Sequence, residues 1–146
     1  MRQSTTLVID TGDDIVGIFS VEGNQYVSYR GNAIASAIRR IEIADEVVTY
    51  NGEYRDLLDL GRFAGRTDKL PLNGLHTDMR IKCWSDRIWG SSLSKTYYEH
   101  FADCPIFPKT YEGSNECDVY MTFKLWELWK QKKLRVLDGT NVNTKN

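Results

Sequence analysis

The sequence is poor in the residues that cross-link a small fold. Its 146 residues include three cysteines, Cys83, Cys104 and Cys117, and no Cys-x-x-Cys pair. An odd number of widely spaced cysteines favours free thiols in a reducing compartment over a disulfide framework or a zinc site. We therefore expect a cytoplasmic protein that is held together by an apolar core.

Long apolar runs are also missing. No stretch approaches the roughly 20 apolar residues needed to cross a bilayer. The polar segment Met1–Thr6 lacks the apolar region of a secretory signal. We expect no membrane partner. The length fits one domain with its own core, which we place at residues 1–139, followed by a polar tail at residues 140–146.

An excess of positive charge is absent as well. The net charge is −1, so the chain is not a polycation that binds nucleic acid by bulk charge. Residues 1–60 carry ten acidic and five basic residues, whereas residues 61–95 carry seven basic and three acidic ones. An acidic site beside a basic segment suits a metal-bound phosphodiester, and ordinary surface charge explains the same pattern.

What is present is a strand-rich first half. Short apolar segments separated by turn residues predict an antiparallel meander of three strands: Thr6–Asp10, Ile15–Val21 and Gln25–Tyr29. Helical periodicity then extends to about Ile43, and Asn32 is the expected cap. Val47–Tyr50 predicts a strand that is parallel to its neighbour, because a helix precedes it.

The second half predicts mainly helices and loops. In order, we expect a helix after Asn51-Gly52, a loop over residues 64–75, a strand or helix start at Leu75–Ile81, a helix from Ser91 or Ser92 to about Phe101, a loop from Pro105 to Gly113, and a last helix from Ser114 or Asn115 to about Lys133. The sequence thus predicts an α/β fold with a mixed sheet, a three-stranded meander plus parallel strands, flanked by helices. This order is typical of the ribonuclease-H-like fold.

Three carboxylates stand out. Asp10 ends the most apolar strand, where open α/β sheets gather ligands, and turn capping is the alternative role. Asp56 lies on the second helix, where most acidic residues are merely solvated. Asp118 precedes an apolar stripe on the last helix, where a carboxylate is costly unless it is paired or metal-bound. Its alternative is a first-turn acid that the helix dipole favours.

Together these acids predict a cation site. Carboxylates from a strand end and two helix starts can converge on divalent ions that activate a water and stabilise a leaving phosphate oxygen. Hard oxygen ligands select Mg²⁺ or Mn²⁺.

Five segments carry motifs in a fixed order: Leu7–Gly12, Val47–Leu57, Leu75–Met79, Gly90–Leu93 and Asn115–Leu125. They resemble, in order, a strand followed by Asp-x-Glu, an apolar strand followed by Asn-Gly and Asp-Leu, a His-x-Asp segment, a helix start, and Tyr-Asn-x-x-Asp-Val. Over residues 6 to about 130 the chain resembles the DEDD superfamily of metal-dependent 3′–5′ exonucleases (DnaQ-like, ribonuclease-H-like). The resemblance is close to the proofreading domains of phage DNA polymerases and to small bacterial exonuclease-like proteins.

The resemblance implies a phosphodiester hydrolase with a site for two Mg²⁺ or Mn²⁺ ions. It makes Asp10, Asp56 and Asp118 the catalytic metal ligands. It also implies that the basic segment guides a single-stranded 3′ end of DNA or RNA. The implied substrate contacts are Thr11, Asn51 and Tyr54.

Two positions depart from the family pattern. Gly12 stands where the family has a metal-binding Glu, and Ser114 stands where one subclass has the water-orienting Tyr. Another subclass has a His at the position of Gly113. The candidate substitutes are Asp13 and Asp14 for the Glu, and Tyr111 and His100 for the water-orienting group.

Two other functions compete with an active exonuclease. One is a catalytically inactive ribonuclease-H-like module that binds nucleic acid or a protein partner. The other follows from Asp10-Thr11-Gly12, which resembles the first phosphate loop of actin-like ATPases and sugar kinases. Those proteins need two lobes, and this length supplies one.

Overall fold

The computed structural model describes residues 4–84 and 92–137. Their centre is a five-stranded sheet in the order β3-β2-β1-β4-β5. The strands are β1 (Thr6–Gly12), β2 (Ile15–Ser20), β3 (Gln25–Tyr29), β4 (Glu46–Thr49) and β5 (Leu75–Asp78). The middle position of β1 follows from its sequence, because an apolar run without alternation can be buried on both faces.

The pairing confirms the predicted mixed sheet. β1–β2 and β2–β3 are antiparallel, whereas β1–β4 and β4–β5 are parallel. The register sets Asp10 opposite Gly17 and Thr49 opposite Asp78. The ends of β1 and β4 therefore open at the same edge of the sheet.

Helices cover both faces of the sheet. They are α1 (Ile34–Ile43), α2 (Asp56–Phe63), α3 (Met79–Cys83), α4 (Leu93–Tyr98) and α5 (Tyr111–Lys130). One apolar core joins α1 and α2 to Leu7 and Ile9 of β1. A second core joins α3 and α5 to Val8 of the same strand. Successive β1 side chains thus belong to different cores, as the period of a strand requires.

Two predicted helix starts are wrong. Asn32 lies in a single 3-10 turn, Gly31–Ala33, and α1 begins after it at Ile34 without a side-chain cap. The last helix begins at Tyr111, because the Thr110 hydroxyl caps it by accepting from the Gly113 amide at 3.0 Å. Ser114 and Asn115, the predicted caps, therefore lie inside α5, and the predicted loop ends earlier than Gly113.

The other boundaries are closer to expectation. Leu75–Ile81 contains both predicted elements, since β5 passes directly into α3 at Met79. The Ser92 hydroxyl caps α4 by accepting from the Lys95 amide at 3.1 Å, although α4 ends at Tyr98 rather than near Phe101. α5 ends at Lys130, short of Lys133.

Some expectations lie outside the described residues: Ser91, Arg87 and the tail at residues 140–146. Within the described part of the chain, no helix combines the length and the apolar character that a bilayer crossing requires.

Candidate active site

Asp10, Asp56 and Asp118 come together where β1 ends. Burial, followed by the negative charges of Asp56 and Asp118, raises the pKa of Asp10 well above its ordinary value. β1 supplies the first residue of this carboxylate cluster, the first turn of α2 the second, and α5 the third. Asp56 and Asp118 are thus near enough to Asp10 to act on it electrostatically.

Asp56 is the most deeply placed of the three. It is 1% exposed, and its Oδ1 accepts from the Thr11 hydroxyl at 2.7 Å and from the Thr11 amide at 3.3 Å. Its Oδ2 is buried without a hydrogen-bond partner among the described residues. Burial outweighs the stabilising bonds from Thr11 and raises the pKa of Asp56 to about 6. A buried carboxylate oxygen of this kind is costly unless it meets a cation or a donor.

Asp118 lies on α5 beyond its first turn, because the helix starts at Tyr111. The acid in the first turn is instead Glu112. The helix-dipole role considered for Asp118 therefore loses its basis, since that effect fades beyond the first turn. Burial raises the pKa of Asp118, and the charge of Arg55 opposes this rise.

Thr11 links the cluster to a fourth acid. Its hydroxyl oxygen lies 2.7 Å from Asp56 Oδ1 and 2.8 Å from Asp59 Oδ2. Asp59 Oδ1 in turn lies 3.1 Å from a guanidinium nitrogen of Arg62. Thr11 is a predicted substrate contact, yet its buried side chain faces carboxylates. Asp59 is absent from the sequence prediction, although its position one helical turn after Asp56 places it on the same face of the helix.

Arg55 is the second residue that the sequence analysis missed. Its Nη2 lies 3.4 Å from Asp10 Oδ1 and donates to the Thr11 carbonyl oxygen at 2.9 Å. Its Nε lies 3.8 Å from Asp56 Oδ1. The carboxylate charges raise the pKa of Arg55 against the opposing effect of burial. The sequence offered one signal for Arg55, which is its position directly before the predicted metal ligand Asp56.

Asn115 orients Asp10 from the other side. Its Nδ2 donates to the Asp10 carbonyl oxygen at 3.1 Å and to Asp10 Oδ2 at 3.2 Å. Its Oδ1 accepts from the Tyr26 hydroxyl at 2.6 Å. Gly17 makes room for this contact, because a Cβ at that position would overlap Asn115 Oδ1. Asn115 belongs to the last of the five sequence motifs, and the structure shows what its side-chain amide contacts.

Tyr111 reaches the turn after β1. Its hydroxyl accepts from the Asp13 amide at 2.6 Å, and the Asp14 amide lies 3.4 Å away. A Cβ on Gly12 would lie 2.5 Å from the same hydroxyl oxygen. Tyr111 therefore fills the space beside the position where the family pattern has Glu.

The two candidate substitutes for that Glu are on the outer side of the turn. Asp13 and Asp14 are both exposed. Asp14 Oδ1 accepts from the Gly31 amide at 3.3 Å, which ties it to the 3-10 turn. His100 is bonded elsewhere: its ring nitrogens lie 3.0 Å from the Thr96 carbonyl oxygen and 2.8 Å from that of Arg135.

The loop between β4 and α2 holds the other two predicted substrate residues. Asn51 has a φ of 65°, a conformation that Asn tolerates better than most residues. Asp78 fixes the loop by accepting from the Asn51 amide at 2.7 Å and from the Glu53 amide at 3.2 Å. Tyr54 is 53% exposed.

Three basic residues of the predicted basic segment form ion pairs with acidic side chains. Arg66 pairs with Asp68 at 3.1 Å and Lys69 with Glu53, while Arg62 pairs with Asp59. Lys82 lies over the ring of Trp129, 5.0 Å from its centre. Exposed pairs of this kind exchange readily with other anions because they contribute little free energy.

The cluster fits a divalent cation in its donor type. Its ligand atoms are carboxylate oxygens, the kind that Mg²⁺ and Mn²⁺ prefer, and Asp56 Oδ2 is a buried oxygen in need of a partner. In its present arrangement, however, no set of three or more His, Cys, Asp or Glu side chains within residues 4–84 and 92–137 could hold a metal ion. Arg55 lies among the acids instead.

The chain matches no protein-family model, and no curated protein is significantly similar to it.

Proposed function

We propose that this chain is a ribonuclease-H-like domain of the DEDD type and that it hydrolyses phosphodiester bonds at the 3′ end of nucleic acid with the help of Mg²⁺ or Mn²⁺. The convergence of Asp10, Asp56 and Asp118 at the end of β1 carries the proposal. Three half-buried or buried carboxylates repel one another and raise each other's free energy in the folded state. Proteins that retain such a cluster commonly use it to bind cations.

The chain's own residues prepare the site. Thr11 holds Asp56 through its hydroxyl and its amide, and Asn115 holds Asp10 through its side-chain amide. Asp10, Asp56 and Asp118 are the residues that would hold the ions. Bound divalent ions supply a water of lowered pKa and neutralise charge that develops on the phosphate oxygens. Tyr54, in the loop between β4 and α2, is 53% exposed, and a terminal base can stack on an exposed tyrosine ring.

A second candidate function is a catalytically inactive module that binds nucleic acid or a protein partner. It is favoured by the Tyr111 hydroxyl, which fills the space beside Gly12 where the family pattern has a metal-binding Glu. With that ligand replaced, the cluster has fewer carboxylates than the family pattern. An inactive module would keep the fold and the exposed Tyr54 loop but release no nucleotides.

The deciding experiment is a nuclease assay on 5′-labelled single-stranded DNA and RNA with Mg²⁺ or Mn²⁺. We expect stepwise shortening from the 3′ end by the wild type. We expect at least about a hundredfold loss of rate in Asp118→Asn and Asp56→Asn, since each change removes a ligand charge. Asp103→Asn, on an exposed loop outside the cluster, is the matched control.

The outcomes separate the two candidates. Cleavage that survives in Asp118→Asn and Asp56→Asn would show a contaminating nuclease and reject the active enzyme. An absence of cleavage on every substrate, together with retention of labelled single strands on the protein in a filter-binding assay, would support the inactive module.

A further inference from the structure

The guanidinium of Arg55 lies inside the carboxylate cluster. It is within 3.4 Å of Asp10 and 3.8 Å of Asp56. Its charge opposes the pKa rise of Asp10, Asp56 and Asp118 alike. Arg55 therefore offsets part of the negative charge of the three acids, and it does so from within the chain.

Arg55 is held loosely in this position. Its contacts with the carboxylates exceed the 2.7–2.9 Å of a good charge-assisted hydrogen bond. Its closest bond, at 2.9 Å, is to the Thr11 carbonyl oxygen. The side chain is 53% exposed, so it can move into solvent without opening the core. It also leaves Asp56 Oδ2 without a hydrogen-bond partner among the described residues, so the buried oxygen is not satisfied by Arg55.

We propose that Arg55 is the resident cation of the cluster, and that a divalent ion binds there by displacing its guanidinium into solvent. This inference rests on the proposed function, since it assigns a metal to the same three acids. A divalent ion bound by both Asp10 and Asp56 would meet the guanidinium, because Arg55 Nη2 and Nε lie 3.4 Å and 3.8 Å from oxygens of these two carboxylates.

The displacement makes Arg55 a brake on metal binding. Removing its charge should therefore tighten divalent-ion binding, by roughly tenfold or more for the loss of one competing charge in this setting. Keeping the charge on a different side chain should preserve the competition. These two expectations separate a competing cation from a residue that only packs beside the acids.

The test is Mn²⁺ binding to the full chain, measured by titration calorimetry for the wild type, Arg55→Gln and Arg55→Lys. Arg66→Gln is the matched control, because it removes the same charge from an exposed pair with Asp68 outside the cluster. We expect Arg55→Gln to bind Mn²⁺ roughly tenfold more tightly than the wild type. Arg55→Lys and Arg66→Gln should stay close to the wild type.

A second readout needs no bound metal. In EDTA, Arg55→Gln should lower the unfolding temperature more than Arg66→Gln does, because the acids lose their counter-charge. Added Mn²⁺ should then raise the unfolding temperature of Arg55→Gln more than that of the wild type.

The outcomes keep this inference apart from the proposed function. Equal Mn²⁺ affinity for the wild type and Arg55→Gln would overturn the displacement and leave the metal site in place. No Mn²⁺ binding by either protein would overturn both. In that case a selective loss of stability of Arg55→Gln in EDTA would still identify Arg55 as the internal counter-charge. An Arg55→Gln chain that does not fold shifts the decision to Arg55→Lys, whose affinity must then match the wild type.

Discussion

The hydroxyl oxygen of Tyr111 lies 2.6 Å from the amide nitrogen of Asp13, and a Cβ on Gly12 would lie 2.5 Å from the same oxygen. A residue on the first turn of α5 thus closes the turn between β1 and β2, 98 positions away along the chain. The guanidinium of Arg30 covers the ring from outside, 5.1 Å from its centre. Gly12 and Tyr111 are therefore a matched pair, in which a small residue admits a large one.

This pairing predicts strong coupling between the two positions. Tyr111→Phe should cost about 1 kcal/mol of unfolding free energy, because it removes the acceptor of the Asp13 amide. Gly12→Ala should cost about 1–3 kcal/mol, because its methyl group overlaps the hydroxyl and Ile15.

The double variant measures the coupling directly. Because Phe has no hydroxyl to collide with, Gly12→Ala should cost less in the Tyr111→Phe background. Urea unfolding of the four proteins in the cycle measures the difference, and strict additivity would show that Gly12 and Tyr111 act independently.

Gly17 should tolerate no side chain, because a Cβ would overlap the Asn115 amide that holds Asp10. We expect Gly17→Ala to lower the free energy of unfolding by about 2–3 kcal/mol and to reduce Mn²⁺ affinity. Gly23→Ala is the matched control, since its nearest atom is the movable Ser20 hydroxyl at 3.1 Å. Equal effects of the two changes would contradict the role of Gly17. Chemical denaturation and calorimetry supply the two measurements.

The stability of the metal-free protein should fall as the pH rises. The pKa of Asp56 goes from its ordinary 3.8 to about 6 in the folded protein. The folded state therefore binds more protons than the unfolded chain between these values. Unfolding free energy in EDTA should decline through this window, by about 2–3 kcal/mol from Asp56 alone.

Asp56→Asn isolates this contribution, because an amide does not ionise. Relative to the wild type, the variant should show a flatter profile between pH 4 and about pH 6. Asp103→Asn should follow the wild type. A wild-type profile that rises through this window more steeply than that of Asp56→Asn would refute the assignment.

A buried hydroxyl holds the second core together. Thr96 Oγ1 lies 2.6 Å from the Tyr50 hydroxyl and accepts from Trp84 Nε1 at 2.8 Å. Thr96→Val keeps the shape but leaves Trp84 Nε1 with only its longer bond to the Tyr50 hydroxyl, at 3.2 Å, which should cost about 1–2 kcal/mol. Unfolding curves of Thr96→Val and of the exposed control Thr67→Val measure the difference, and Trp84 fluorescence should change only in the former.

Sequence periodicity predicted the sheet well because the burial of apolar side chains determines how the strands and helices are arranged. The unbroken apolar run of β1 and the helical stripe before β4 each leave one arrangement that hides their apolar side chains. Helix starts were predicted less well. Thr110 is as good a cap as Ser114, and only the packing of Gly113 against Pro108 favours the earlier start.

The site was predictable only in part. The proximity of Asp10 and Asp56 was predictable, because the ends of neighbouring strands lie at one edge of the sheet. The positions of Arg55 and Asn115 depend on where long side chains point, and their contacts to Asp10 span 45 and 105 positions. Spacing along the chain does not encode such contacts, so what these two residues bind became visible only in the fold.

The hydroxyl oxygen of Thr11 lies within hydrogen-bond distance of two carboxylates, but a hydroxyl group has only one hydrogen to donate. That hydrogen goes to Asp56 Oδ1, and burial raises the pKa of Asp56 to about 6, so near this pH the carboxyl group carries a hydrogen of its own in part of the molecules. A divalent ion that binds Asp56 would expel this hydrogen. Uptake of Mn²⁺ near pH 6 should consequently acidify the solution, and its calorimetric heat should vary with the ionisation enthalpy of the buffer.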